Sequence, residues 1–524
     1  MKPQIVNIIN FIRGVEPRES IDLIEPVQEQ LKLVKNHGLA ATFLMQYDAL
    51  INSDFVNLLS GYSQDIEIGG WLEIVKPMCD AAGITWRGRP GFSWDWHANV
   101  GFTVGYTKDE RIALADVFMK EFKKVWGYYP ASVGSWVIDA YTLAYLSERY
   151  GIVASCNCKD QWGTDGYTLW GGYYNQAYYP SKYNVFCPAQ TIEKQIPVPI
   201  FRMLGSDPIY QYDLGLDLDV GGSDCQKVVT LEPVYSGESG GGGNPDWVDW
   251  FFKENFNGIC LSFAYAQAGQ ENSFGWDLMK DGLTYQIDKL AKLSQEGKVT
   301  VQTLAQSGKW FKENYDLTPA SAVAALSDWK NEGYRSIWYN CRNYRINVIC
   351  KNNRIRIRDI YIFNENYKER YLDEVCDLSY LVYDNLPVMD GNRWSGNGVL
   401  AGIYPVDPDG QELTFETIEV LEKDDRLLVK WGSGQQAQVL CVFSPEGLEW
   451  NFPTSDFGFV MKLGNDSKSV DLALTSDSLS FVYNGFGYSI EVIGASMSLS
   501  DKDKNPDIIF KGNKDIIQMK FYFG

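Results

Sequence analysis

Two periodicities divide the chain. From its start to about Tyr315, apolar runs of strand length alternate with stretches whose apolar residues recur at helical spacing, an order that predicts a parallel sheet. Ile5 to Phe11 reads as the first strand, and the helix after it carries Leu23, Val27, Leu31 and Val34 on one face before Gly38 stops it. Ala41 to Met45, Asp65 to Gly69, Ser132 to Val137, Ile152 to Asn157, Ile200 to Leu204 and Ile259 to Tyr265 continue the series, and Val299 to Leu304 closes it. Among the intervening helices, one is opened by Thr107 with Glu110 in capping-box spacing and ends at Gly127. Others run from Tyr141 to Tyr150, from Pro245, and along Leu283, Ile287, Leu290 and Leu293.

Beyond Ala322 the period shortens to two. Arg345 to Cys350, Arg354 to Ile360, Leu413 to Leu421, Arg426 to Trp431, Gln438 to Phe443 and Ser478 to Val492 read as short alternating strands. Asn484-Gly485 and Lys351-Asn352-Asn353 are hairpin turns by composition, and Tyr367 to Val375 reads as a helical piece at the junction. The expected fold class is α/β plus all-β. A (β/α)7-8 barrel over residues 1–318 is the catalytic domain, and a β-sandwich over 319–524 is an accessory domain.

Composition narrows the function. A formal charge of −20, with no Lys/Arg-rich stripe, argues against a nucleic-acid partner, and no apolar stretch is long enough to span a bilayer. Ten cysteines in 524 residues do not make a disulfide scaffold. Met1-Lys2-Pro3 leads directly into a strand-like run with no signal peptide visible, so a cytoplasmic location is expected if the chain begins there naturally, and a periplasmic or secreted one if a leader has been trimmed. The run Gly240 to Gly243 lacks the Lys-Ser/Thr of a phosphate loop and reads as a flexible loop. Many of the 17 Trp and 32 Tyr residues fall in loop-like segments, where flat rings stack on sugars.

In a parallel barrel the working face lies at the carboxyl ends of the strands. Those positions supply Arg13, Glu16, Gln46, Asp48, Glu67, Glu73, Asp139, Asp160, Arg202, Asp207, Glu232, Gln267 and Glu271, a rim rich in carboxylates. Glycoside cleavage needs two carboxyl groups, one to protonate the leaving oxygen and one to attack or to activate water. Only His37 and His97 could take part in histidine chemistry, so neither a metal, nor a cofactor, nor a serine triad is expected.

The segment PASVGSWVIDAYTLAYLSERYGI resembles the fourth-strand region of the family 57 and family 38 glycoside hydrolases, the latter including α-mannosidases. That resemblance implies Asp139 as nucleophile and Trp136 as pocket wall. It also implies a late-strand acid within ICLSFAYAQAGQENSFGWD, with Glu271 ranked first and Glu232 as the alternative. AATFLMQYDAL and DIEIGGWLEI resemble the second and third strands of the wider glycoside hydrolase and polysaccharide deacetylase barrel superfamily, although the deacetylases' Asp-Asp and His-x-x-x-His metal ligands are missing.

The leading expectation is a glycosidase, retaining in mechanism, acting on an oligo- or polysaccharide. Its substrate-binding residues are Arg13, Glu16, Asp48, Glu67, Trp94, Asp95, His97, Trp136, Asp160, Trp162 and Arg202. The alternatives are a deacetylase with an atypical metal site built from Asp48, Asp95, His97 and Glu67, and a noncatalytic carbohydrate-binding protein.

Overall fold

Strands whose two faces are both covered read as continuous apolar runs, and the early segments behave this way: all nine residues of β1 (Gln4–Ile12) are buried. The computed structural model describes residues 2–62, 66–157, 172–219, 229–382, 384–433, 436–464, 470–501 and 506–523. Over the first part of the chain it places β2 (Thr42–Met45), β3 (Glu67–Trp71), β4 (Ser132–Gly134), β5 (Ala154–Asn157), β6 (Ile200–Arg202), β7 (Ala264–Ala268) and β8 (Thr300–Gln302). The sheet order is β7-β1-β2-β3-β4-β5-β6, parallel throughout, and β8 pairs in parallel with β1.

Alternation along these strands separates a lumen from a shell. Ile9, Phe11, Leu44, Trp71, Cys156, Phe201 and Tyr265 meet inside the barrel. Val6, Ile8, Phe43, Met45, Val133 and Ile200 face the helices instead. The shell includes α1 (Ile24–His37), α2 (Lys108–Trp126), α3 (Ala140–Tyr150), α4 (Pro245–Asn255) and α5 (Trp276–Gln295). The Thr107/Glu110 capping box is formed, and Gly38, Gly127 and Gly151 end their helices in the left-handed conformation expected of C-caps.

The barrel is nearly closed. Between β6 and β7 runs Ala177–Tyr178, which pairs antiparallel with β6. Side-chain amides span the remaining seam: Gln176 Nε2 donates to the Phe263 carbonyl at 3.0 Å, and Asn175 Nδ2 to Asn255 Oδ1 at 3.3 Å, Asn255 in turn donating to the Tyr265 carbonyl at 3.0 Å. The base is plugged by a helix that the sequence pattern did not reveal, α6 (Leu304–Asn314), whose Leu304 and Phe311 enter the lumen core.

The glycine run is not a loose loop. A Cβ added at Gly242 would stand 2.1 Å from the Leu231 carbonyl oxygen, and one at Gly282 would stand 2.3 Å from that of Pro233. Backbone is packed on backbone here, and only a hydrogen in place of the side chain permits it. Gly242→Ala is expected to destabilise the fold by about 1–3 kcal/mol. Gly237→Ala, where a Cβ meets nothing within 4 Å, should stay within about 0.5 kcal/mol; chemical denaturation of the two variants checks the contrast.

α6 ends at Asn314, and the all-β part begins with Ser321–Ala325. Two antiparallel sheets of nine and eight strands are found among the described residues, and Ile346, Ile357 and Ile403 of one share a core with Val429, Cys441 and Trp450 of the other. Asn484 and Gly485 take φ 46° and 76° between paired strands, as the hairpin signal required. The expected helix at Tyr367 to Val375 is reduced to one 3-10 turn, Arg370–Leu372. It is clamped by backbone contacts to Tyr183 and Val104, which replace helical bonding.

Candidate active site at the barrel mouth

Arg13 leaves the carboxyl end of β1 and is almost wholly buried. Its Nε and Nη2 donate to Glu271 Oε2 at 3.0 and 2.9 Å, and Nη2 also lies 3.5 Å from Glu73 Oε2. Glu73 follows β3 and Glu271 follows β7, so one guanidinium gathers carboxylates from two separate strands. The guanidinium carbon sits 3.7 Å over the Trp94 ring.

Each carboxylate is further oriented. Glu73 Oε2 accepts from Gln46 Nε2 at 3.0 Å and from the Trp94 indole at 3.1 Å, while its Oε1 is buried with no hydrogen-bond partner among the described residues. Glu271 Oε1 accepts from the Ser273 hydroxyl at 2.6 Å. Burial, countered by Arg13 and reinforced by the charge of Glu271, pushes the Glu73 carboxyl up to about 7. Asp48 Oδ1 accepts from the Gly14 and Ala49 amides at 2.9 and 2.8 Å. Burial raises Asp48 to about 6, against the pull of those amides and of Arg13.

Below the carboxylates the floor is aromatic: Phe11 stacks on Trp71 at 4.2 Å, with Trp136 edge-on to both. Above them, Trp96 lies between the guanidinium groups of Arg18 at 4.9 Å and Arg89 at 4.1 Å. Glu16 holds Arg18 through two hydrogen bonds, and Asp95 holds Arg89 in the same way, with His97 Nδ1 3.2 Å from Asp95. Trp96 and His97 keep partial exposure and Arg18 is exposed, whereas Glu73 and Glu271 themselves are buried.

The structure thus gathers Arg13, Glu16, Asp48, Trp94, Asp95, His97, Trp136 and Glu271 around one end of the barrel. Glu232 stands beside them: Gln270 Nε2 donates to it at 3.3 Å, and the same amide's oxygen accepts from the Glu271 N–H. Asp160 and Trp162 lie outside the described residues.

Three expected residues are elsewhere. Asp139 is not at the acid cluster: it caps α3 by accepting from the Thr142 amide at 2.9 Å, takes the Thr103 hydroxyl at 2.5 Å, and pairs with buried Arg111 at 3.0 Å. Its oxygens are committed to holding α2 and α3 together. Glu67 begins β3 and therefore lies at the base, where it accepts from Thr42 and from the Ala305 amide at the start of α6. Arg202 faces out of the lumen because Phe201 beside it faces in, and it donates to Asn157 at 3.1 Å.

Glu73 is among the residues that the sequence placed on the rim without a role. It shares a strand face with Glu67, Gly69 and Trp71, so continuing the alternation past Trp71 would have identified it. The atypical metal set also fails: Glu67 is at the other end of the barrel, Asp95 is spent on Arg89 and His97, and the one carboxylate left, Asp48, is held by two backbone amides near the Arg13 guanidinium. That donor arrangement does not fit a divalent cation.

No family model and no curated protein matches the sequence. Among solved structures, the chain is similar to a proposed glycoside hydrolase/deacetylase from Parabacteroides distasonis at 15% identity and a TM-score of 0.55, over 74% of this chain and 90% of that one. A polysaccharide deacetylase from Mycobacterium smegmatis matches at 12% identity and a TM-score of 0.36, over 61% and 93%. A GH57 branching enzyme from Thermococcus kodakaraensis matches at 11% identity and a TM-score of 0.32, over 60% and 71%. About three-quarters of the chain thus shares its fold with the Parabacteroides protein; in this chain the fold is a nearly closed parallel barrel followed by two antiparallel sheets.

Proposed function

We propose that the protein is a glycosidase in which Glu73 and Glu271 are the catalytic pair, in place of Asp139. The observation that carries this reading is one guanidinium shared by two buried carboxylates whose surroundings differ. Glu73 is raised towards neutrality by burial, whereas Glu271 is ion-paired with Arg13. Glu73 is then the acid that protonates the leaving oxygen, and Glu271 is the nucleophile at the anomeric carbon. In the second half, Glu73 takes a proton from water, and that water breaks the glycosyl ester.

The two oxygens share one nitrogen at 2.9 and 3.5 Å. Their separation therefore falls below the roughly 6.5 Å at which inverting pairs begin, which favours retention. Release of reducing ends from a glycan panel, followed by NMR assignment of the first-formed anomer, tests both halves of the reading. Inversion would refute the roles assigned, and full turnover by Glu271→Gln would remove the pair altogether.

Trp94 offers a finer test. Its indole hydrogen bond lowers the Glu73 pKa, so Trp94→Phe, which keeps the ring and loses the N–H, should move the alkaline limb of the activity profile to higher pH. An unmoved limb would mean that a different acid donates the proton.

A further inference from the structure

A cavity of about 1000 Å³ lies between the loop that follows β6 and the outer face of the nine-stranded sheet. Its volume is at the upper end of the roughly 300–1000 Å³ typical of ligand pockets. Arg354, Arg356 and Arg358 alternate with Ile355 and Ile357, so the isoleucines enter the sandwich core while the arginines line the cavity. The sequence RIRIR carries that division openly.

The lining is cationic on a chain of net charge −20. Five cations, Lys351, Arg354, Arg356, Arg358 and Lys462, face two carboxylates, Asp213 and Glu412. Asp213 is used by Arg356 and Arg358 at 3.0 and 2.9 Å, and Glu412 by Lys462 at 2.6 Å, with Arg354 3.7 Å away. Lys351 has no acidic partner among the described residues; its ammonium rests 4.9 Å over the Tyr334 ring. Tyr404 lies under Lys462 at 4.6 Å. Lys351 and Arg354 are exposed, so their charge is available to a ligand.

We propose that this cavity is a second binding site for an acidic oligosaccharide, whose carboxylate or sulfate groups meet Lys351 and Arg354 and one of whose rings packs beside the half-buried Tyr334. That the ligand is a sugar rests on the reading of the barrel mouth; that it is anionic rests on the cavity lining alone.

Isothermal titration with short oligogalacturonates, sulfated galactan oligosaccharides and neutral galactan oligosaccharides tests it. Wild-type protein is expected to bind at least one acidic probe tenfold or more tightly than the neutral one, and binding should weaken with added salt. The double variant Lys351→Glu/Arg354→Glu, altered only at exposed positions, should lose that binding tenfold or more while keeping wild-type turnover at the mouth. Whichever acidic probe binds tells carboxylate from sulfate. Binding of neither, equal binding of the neutral probe, or an unaffected variant overturns the proposal. The same titration on Glu73→Gln separates the two sites: retained binding there supports the cavity whether or not the mouth turns over glycans, and its loss overturns a separate site.

Discussion

Replacing Glu73 by Gln is expected to lower turnover by about 10²–10⁴-fold, the range typical of a lost general acid, while the protein still folds. If Glu73 is the proposed acid, the wild-type protein should lose activity as pH rises through about 7, because burial and the neighbouring Glu271 hold the Glu73 proton to that pH and the acid must be protonated to act. The same shift bears on stability. The folded pKa lies above the ordinary 4.5, so this group's contribution is fully present below that value and is lost as pH rises through about 7. The rise from 4.5 to about 7 corresponds to roughly 3 kcal/mol. Glu73→Gln has no proton to lose, so urea unfolding at pH 5 and pH 8 should show its stability gaining on wild type at the higher pH. A difference that does not change between the two would mean that Glu73 is not held protonated by the fold.

The second large effect concerns Asp139, and it reverses what its place in the sequence implied. Asp139→Ala removes the α3 cap and leaves Arg111, itself buried, without its carboxylate. Loss of one partner from a buried ion pair costs about 3–5 kcal/mol. Asp139→Asn should cost less, since asparagine also caps helices well. Turnover per folded molecule should survive both changes. Unchanged unfolding accompanied by loss of turnover would return Asp139 to the chemistry.

The contrast between these two acids shows how far a strand-end rule reaches. A carboxylate just after a strand and just before a helix has two uses, and the local sequence around Asp139 serves either. Thr142, three residues on, offers the amide that a cap requires, but the decisive partner is Arg111 on a different helix. Glu67 failed for a related reason. It has the lumen-facing parity of Glu73, yet six residues separate them, roughly 20 Å along an extended strand, and the ends of a barrel do opposite jobs. Correct boundaries for β3 would have distinguished them, and boundaries are what short strands such as Glu67–Trp71 hide.

The chain's own pattern determined the barrel-then-sandwich order, the capping box at Thr107, the glycine stops of three helices and the Asn484-Gly485 hairpin. Each depends on residues within a few positions of one another. Tertiary structure alone decided that Arg13, Glu73 and Glu271 converge, that Asp139 belongs to Arg111, that α6 plugs the base, and that three arginines of one strand face a loop of the barrel. Those pairings join residues tens to hundreds of positions apart. Their geometry is set by strand order and by the side to which each residue points, neither of which a local window contains.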